Sequence, residues 1–424
     1  MRSWAVRPSS AALAERRSLT RIYRWGLLVR ASVGILAYAL TIYLDLPIVE
    51  DAKFYEESGY ELAQNWIAGT EIDLGELGGG ALTGRYLVIG IALFYFVLGG
   101  LRALPLLLIA YSAVTALVPL YVYRVARELQ APEAAARRAG WLVALSPCFV
   151  FWSGSLYKEG LALLILSVAA YHTLLLLSRW NRWSLAILVV CDLALWGVRT
   201  YLAILLGLAV SVSLLWGRLA WTGRFLSVPV VVRHAAVLAA FSLVILYVGV
   251  TLRTDEVLLE SEEGFLVELD VRRGGSATEA RSGYLQEASI ATPAEALGYF
   301  PLGLFYFLTV PWPWQVGAFR QNLIIPETAF WLALYPLMVI GMRRTFKGNQ
   351  PGTVFLLVLT GGTCAIYALL SANVGTTYRM RSQVWLLWAP FAAWGWEVWR
   401  ERRRQARQGR WVRGRSRALA TRAR

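Results

Sequence analysis

Over residues 25–44 the chain runs for twenty positions with Arg30 as its only charge, and comparable apolar runs recur along most of its length. A helix of about 20 predominantly apolar residues crosses the hydrocarbon core of a bilayer because it bonds its backbone N–H and C=O groups internally, where no water can. Ten runs read as such spans: 25–44, 103–123, 139–153, 159–178, 184–198, 200–216, 235–252, 327–342, 353–371 and 383–399. Two shorter stretches, 86–98 and 299–310, raise the number to twelve if both cross. With 57% hydrophobic and 16% charged residues, the chain cannot be wrapped around one soluble core without leaving a large apolar exterior. The expected fold is an all-α polytopic membrane protein, and a water-soluble enzyme is excluded.

The formal charge of +15 is carried almost wholly by arginine, and its location decides its meaning. Eleven arginines lie in 400–424, directly after the last apolar run, and six lie in 2–24, directly before the first. Clusters that flank spans orient a chain with its basic loops on the cytoplasmic side. Contact with anionic headgroups and a tail that binds nucleic acid or protein are the alternatives. The acids do the reverse, with nine in 45–85 and ten in 253–296. Ten spans place both acidic loops outside and both termini in the cytoplasm, whereas twelve spans invert much of this pattern. The expected organisation is therefore a membrane domain over 1–400, with outer loops 45–102 and 253–326, and a basic cytoplasmic tail over 401–424. The first run is followed by acids rather than a small-residue cleavage site, so it reads as a retained anchor.

Few residues offer chemistry. Cys148, Cys191 and Cys364 sit in apolar runs without close-spaced partners, which argues against a disulfide framework or a zinc site. His172 and His234 are the only histidines, too few for a His-rich metal site. Asp192 is an acid inside a span, so it is either functional or paired with a nearby polar group. Gly75 and Gly78–Gly80 lack the Gly-Lys-Ser/Thr ending of a phosphate loop. In 45–85, Phe54, Leu62 and Trp66 with Tyr55, Ala63 and Ile67 form a helical apolar stripe, while Lys53, Glu57 and Glu61 fall on another face. This predicts an interfacial helix. Asp51 stands at its start, either as a cap for backbone N–H groups or as a base held at the membrane surface.

The run Glu50-Asp51-Ala-Lys-Phe-Tyr55, with Leu62-Ala63 and Gly69 beyond it, resembles the first outer loop of C-type (GT-C) membrane glycosyltransferases. These include protein O-mannosyltransferases, the lipid A aminoarabinose transferase and the oligosaccharyltransferase catalytic subunit. The segment Ser146-Pro147, Trp152-Ser153 and Lys158-Glu159 is similar to the stretch that brings a second acid to the outer face in that superfamily, although many relatives have Asp where this chain has Lys158-Glu159. The resemblance implies a GT-C-like helical bundle in a bacterial inner membrane, with Asp51 as the catalytic carboxylate and Glu159 orienting the acceptor or a metal. Pairing of Glu159 with a snorkelling Lys158 is the structural alternative.

The resemblance also implies a polyprenyl-phosphate-linked sugar as donor, and a glycan, lipid or protein as acceptor. A departing phosphate needs cations rather than a protonating acid, and the arginine fork binds its oxygens in pairs. Arg199 at an outer span junction, and Arg379 and Arg381 beside Tyr378 in an expected outer loop 372–382, are the candidates, with Lys158 as a further one. Snorkelling to headgroups accounts for such arginines almost as well. A divalent ion, Mg or Mn, is the one cofactor left open. The expected activity is inverting glycosyl transfer in cell-envelope assembly, against a lipid-linked glycan flippase or an O-antigen-type polymerase. Membrane lipids are expected partners and nucleic acid is not.

Overall fold

Prolines punctuate the apolar runs, and each helix they open exploits the same fact: the first turn needs no intrahelical N–H. The computed structural model describes residues 10–70, 84–222, 265–278, 282–314 and 319–422. In these it has fifteen helices and no strand, only an isolated bridge between Gly283 and Asn373. The first eight are α1 (Ser10–Tyr43), α2 (Glu50–Ala68), α3 (Arg85–Val97), α4 (Leu104–Thr115), α5 (Val118–Glu128), α6 (Glu133–Leu145), α7 (Pro147–Gly154) and α8 (Lys158–Ser178). Then follow α9 (Arg182–Trp196), α10 (Thr200–Thr222), α11 (Phe265–Thr278), α12 (Pro293–Thr309), α13 (Phe319–Gly348), α14 (Gln350–Leu370) and α15 (Val374–Arg422).

Among the described residues six segments are long and apolar enough to cross a membrane: Leu13–Tyr43, Leu104–Glu128, Lys158–Ser178, Thr200–Gly217, Ile324–Gly348 and Gln350–Leu370. The chain is thus an all-α membrane protein of several apolar helices, and leucines such as Leu28, Leu36 and Leu208 stand on its exterior. The expected run 235–252, His234, Gly75, Gly78–Gly80 and part of the acidic segment 253–296 lie outside the described residues. Of the two short stretches, 86–98 is the thirteen-residue α3, which packs along α2, and 299–310 belongs to α12, which packs on α14.

Two expectations about segments change. Residues 372–382 are not a loop. Asn373 accepts the Thr376 N–H on its side-chain oxygen at 2.8 Å, and α15 starts at Val374 and runs without interruption through the basic segment to Arg422. The run 139–153 is not one helix, because Pro147 breaks it between α6 and α7.

That break is closed by charge. In a continuous helix the N–H of residue 147 would bond the carbonyl of Val143 and that of Cys148 the carbonyl of Ala144, but Pro147 has no N–H. Fully buried Arg30 donates instead to the carbonyls of Val143 and Ala144 at 3.2 and 3.1 Å, and to the Ser153 hydroxyl at 2.7 Å. On the other side the Cys148 N–H donates to Glu327 of α13, at 3.0 Å to Oε2. A cation at the end of α6 and an anion at the start of α7 both match the helix dipoles. The break thereby aims α7 and the α7–α8 turn at the end of the bundle that carries Asp51.

Two hydrophobic clusters hold this arrangement. The larger joins α5–α10 to α13–α15 and contains Trp331 and Trp385, whose rings stack 4.9 Å apart. The second seats α2 and α3 on α1, α4 and the α7–α8 turn through Tyr38, Tyr55, Leu62, Ile91, Leu108 and Tyr157.

Candidate functional site

Four segments distant in sequence each contribute one charge to the same place. Asp51 lies in the first turn of α2, Glu159 in the first turn of α8, Arg199 just after α9 and Arg379 in the first turns of α15. The turn before α8 is held by Tyr111, whose hydroxyl donates to the carbonyl of Tyr157, and by Thr115, which donates to the carbonyl of Ser153 at 2.7 Å. Leu156 in this turn takes a positive φ of 55°, reversing the chain within three residues so that α8 starts with its acid facing the neighbouring helices.

Arg379 connects the two acids. Its Nη1 donates to Asp51 Oδ2 at 2.9 Å, and its Nε lies 2.8 Å from Glu159 Oε1. Arg199 Nη2 pairs with the same Glu159 oxygen. The guanidinium of Arg379 also lies over the rings of Trp152 and Tyr157, at 5.8 and 5.7 Å, an attraction of the cation to the ring faces. Glu159 is fully buried, whereas the Asp51 side chain is 54% exposed. The centre therefore has one fully buried carboxylate, two guanidiniums paired with it and a second carboxylate that is half-exposed.

The electrostatics keep the cations charged. Burial works against the charge on Arg379, yet Glu159 and Asp51 outweigh both that and the like charge of Arg199, so its pKa lies above the ordinary arginine value. Arg199 is held above it in the same way, burial being outweighed by Tyr201 and Glu159. Tyr55, one turn after Asp51, has its phenol raised by burial first, with the charges of Arg379, Glu159, Asp51 and Arg199 all acting on it. Lys158 is buried beside Glu159 and adds a third cation to the field there.

The structure thus brings together Asp51, Glu159, Arg199 and Arg379, with Lys158 adjacent. It does not bring in Tyr378 or Arg381. Tyr378 donates its hydroxyl to Glu327, and Arg381 is fully buried, donating to the carbonyl of Val310 and lying over the Trp385 ring at 5.1 Å. Residues two apart on a helix face nearly opposite ways, so with α15 in place of a loop Arg379 and Arg381 cannot serve one site. Nor does Asp51 cap its helix: Val49 occupies the N-cap position without a side-chain hydrogen bond, and Asp51 meets Arg379 instead.

Sequence reasoning passed over Glu327, an acid at the edge of an apolar run that carried the same signal as Asp192. Asp192 itself is buried, and no ion pair to it is present among the described residues. Tyr157 was also missed, since nothing in its spacing distinguishes it from an interface aromatic.

The residues do not fit the divalent ion left open above. Asp51 and Glu159 are joined through the Arg379 guanidinium, so a fixed cation stands where a metal shared by the two carboxylates would need to be. Among the described residues no group of three or more His, Cys, Asp or Glu side chains is placed to hold a metal. What the centre can do is present an exposed carboxylate to a neutral hydroxyl while guanidiniums close by receive a phosphate. No protein-family model matches the chain, and no curated protein shows significant similarity to it.

Proposed function

We propose that the Asp51 centre transfers a glycosyl group from a polyprenyl-phosphate-linked sugar to a hydroxyl acceptor at the outer face of a bacterial inner membrane, with both termini in the cytoplasm. The observation that carries this reading is the meeting of Asp51, Glu159, Arg199 and Arg379 from four separate segments at one end of a bundle of apolar helices. The chemistry needs little else. The acceptor oxygen attacks the anomeric carbon, its proton passes to the Asp51 carboxylate, and the carbon–oxygen bond to phosphate breaks with its electron pair leaving on the phosphate. Arg379 and Arg199 stabilise that charge. A single base on the acceptor side corresponds to direct displacement with inversion. Buried Glu159 is a positioning residue that holds both guanidiniums.

The test is transfer of labelled sugar from polyprenyl phosphate in reconstituted membranes, by the native protein and by Asp51→Asn. Loss of a general base lowers the rate by roughly 10²–10⁴-fold; equal transfer by both proteins removes Asp51 from the chemistry. A flippase would move the labelled donor across the bilayer without forming a glycosylated product, and the same vesicles read that out.

A further inference from the structure

Along α15 the chain rises about 1.5 Å per residue, so a residue fifteen positions beyond Arg379 lies roughly 22 Å further down the bundle. There, at Trp394, begins a cavity of about 930 Å³ between α13, α14, α15 and the α5–α6 turn. Its cations are Arg343, Arg344 and Lys347 from the last turns of α13 and Arg402 from α15. The apolar wall is formed by Ile340, Phe346, Leu357, Trp394 and Val398. Two acids also line it, but Glu397 is paired with Arg138 from α6, leaving Glu401 against four cations. The α13–α14 turn that closes it is pinned by Asn349, whose side chain accepts the Gly352 N–H at 2.9 Å and donates to the carbonyl of Glu128 at 3.1 Å.

Cations at helix ends are commonly only topology anchors, and solvated arginines need no cavity. Here they line a cavity together with apolar side chains, at the level where the apolar segment Ile324–Gly348 ends. An occupant that satisfies both features has an anionic head and hydrocarbon chains. We propose that this cavity binds an anionic phospholipid, its phosphate held by Arg343, Arg344, Lys347 and Arg402 and its chains against the apolar wall. This does not rest on glycosyl transfer, since the site begins roughly 22 Å along α15 from Arg379 and shares no residue with the Asp51 centre.

The experiment titrates the full-length protein in detergent with phosphatidylglycerol brominated on its acyl chains and follows tryptophan quenching. The component absent in Trp394→Phe reports this cavity. Basic side chains contribute comparable increments to anionic-lipid binding, so Arg343→Gln/Lys347→Gln is expected to weaken it roughly 30-fold. Arg403→Gln/Arg404→Gln, the same change of charge outside the cavity, is expected to leave it unchanged. Equal quenching by brominated phosphatidylcholine, equal loss in both double variants, or no Trp394-dependent component overturns the proposal. Glycerol phosphate separates the sources: if it displaces the lipid at comparable concentration, the site is for a soluble phosphate and the lipid assignment fails. That competition uses the native protein and stands even if the variants do not fold.

Discussion

Exposure decides what each carboxylate of the centre is worth. The Asp51–Arg379 pair has one partner 54% exposed, and ion pairs of that kind contribute about 0–1 kcal/mol. Asp51→Asn should therefore melt within a few degrees of the native protein, which makes it a clean variant for activity. Glu159 is fully buried between two arginines, and removing one partner of a buried ion pair leaves the others uncompensated at a cost of about 3–5 kcal/mol. Glu159→Gln is accordingly expected to lower the thermal midpoint in detergent far more than Asp51→Asn does. Similar midpoints for both variants would mean that solvent or headgroups neutralise Arg199 and Arg379. At this scale the sequence marked charged residues of which four meet, but not the directions of their side chains. Asp51 and Arg379 were legible as acid and cation at the same side, whereas Tyr378 and Arg381, one and two positions from Arg379, turn to Glu327 and Val310.

Helix boundaries were harder to read than helices: the expected span 139–153 ran through Pro147, and the expected loop 372–382 ran past the Asn373 cap. The stripe read over 54–67 is a helix as expected, but the buried face of α2 is Ala52, Tyr55, Glu56, Gly59, Leu62 and Ala63, while Phe54 and Ile67 stay exposed. The reason lies in its partner. A Cβ on Gly59 would lie 2.6 Å from the Ile91 side chain, so α2 is turned to bring its smallest residue against α3. Glu56 is buried on this face because Arg102 donates to it at 3.0 Å and Tyr95 at 2.6 Å, a pairing no periodicity reveals. The break at Pro147 yields a sharper prediction. Arg30→Leu leaves the carbonyls of Val143 and Ala144 without their donor, at about 1–3 kcal/mol for each. Adding Pro147→Ala restores an N–H that can return to Val143, so the double variant should be more stable than Arg30→Leu alone. Simple additivity in thermal unfolding would show that Arg30 does not serve the break.

Across the whole molecule, close approach of helices sets which charges meet. A Cβ at Gly341 would run into the backbone of Phe391, and one at Gly395 into that of Leu337, so α13 and α15 cross with their backbones in near contact. This crossing fixes the rotation of α15 and thereby sends Arg379 toward Asp51 and Arg402 toward the cavity at the far end. Single cysteines placed at the exposed positions Glu57 and Arg402 are expected to react with an impermeant thiol reagent from opposite sides of sealed vesicles; the native cysteines Cys148, Cys191 and Cys364 are buried. Labelling of both from one side would refute a bundle that carries the two sites at opposite membrane faces. A set of apolar helices, one of them with a carboxylate at its start, can be read segment by segment, because transfer to hydrocarbon and backbone satisfaction are sums over a single segment. That Asp51 meets Arg379, 328 positions away, while Arg381 turns to Val310, emerges from the packing of the helices. That choice depends on how each helix is rotated against its neighbours, and rotation is set by the shapes of the surfaces in contact, which no one segment contains.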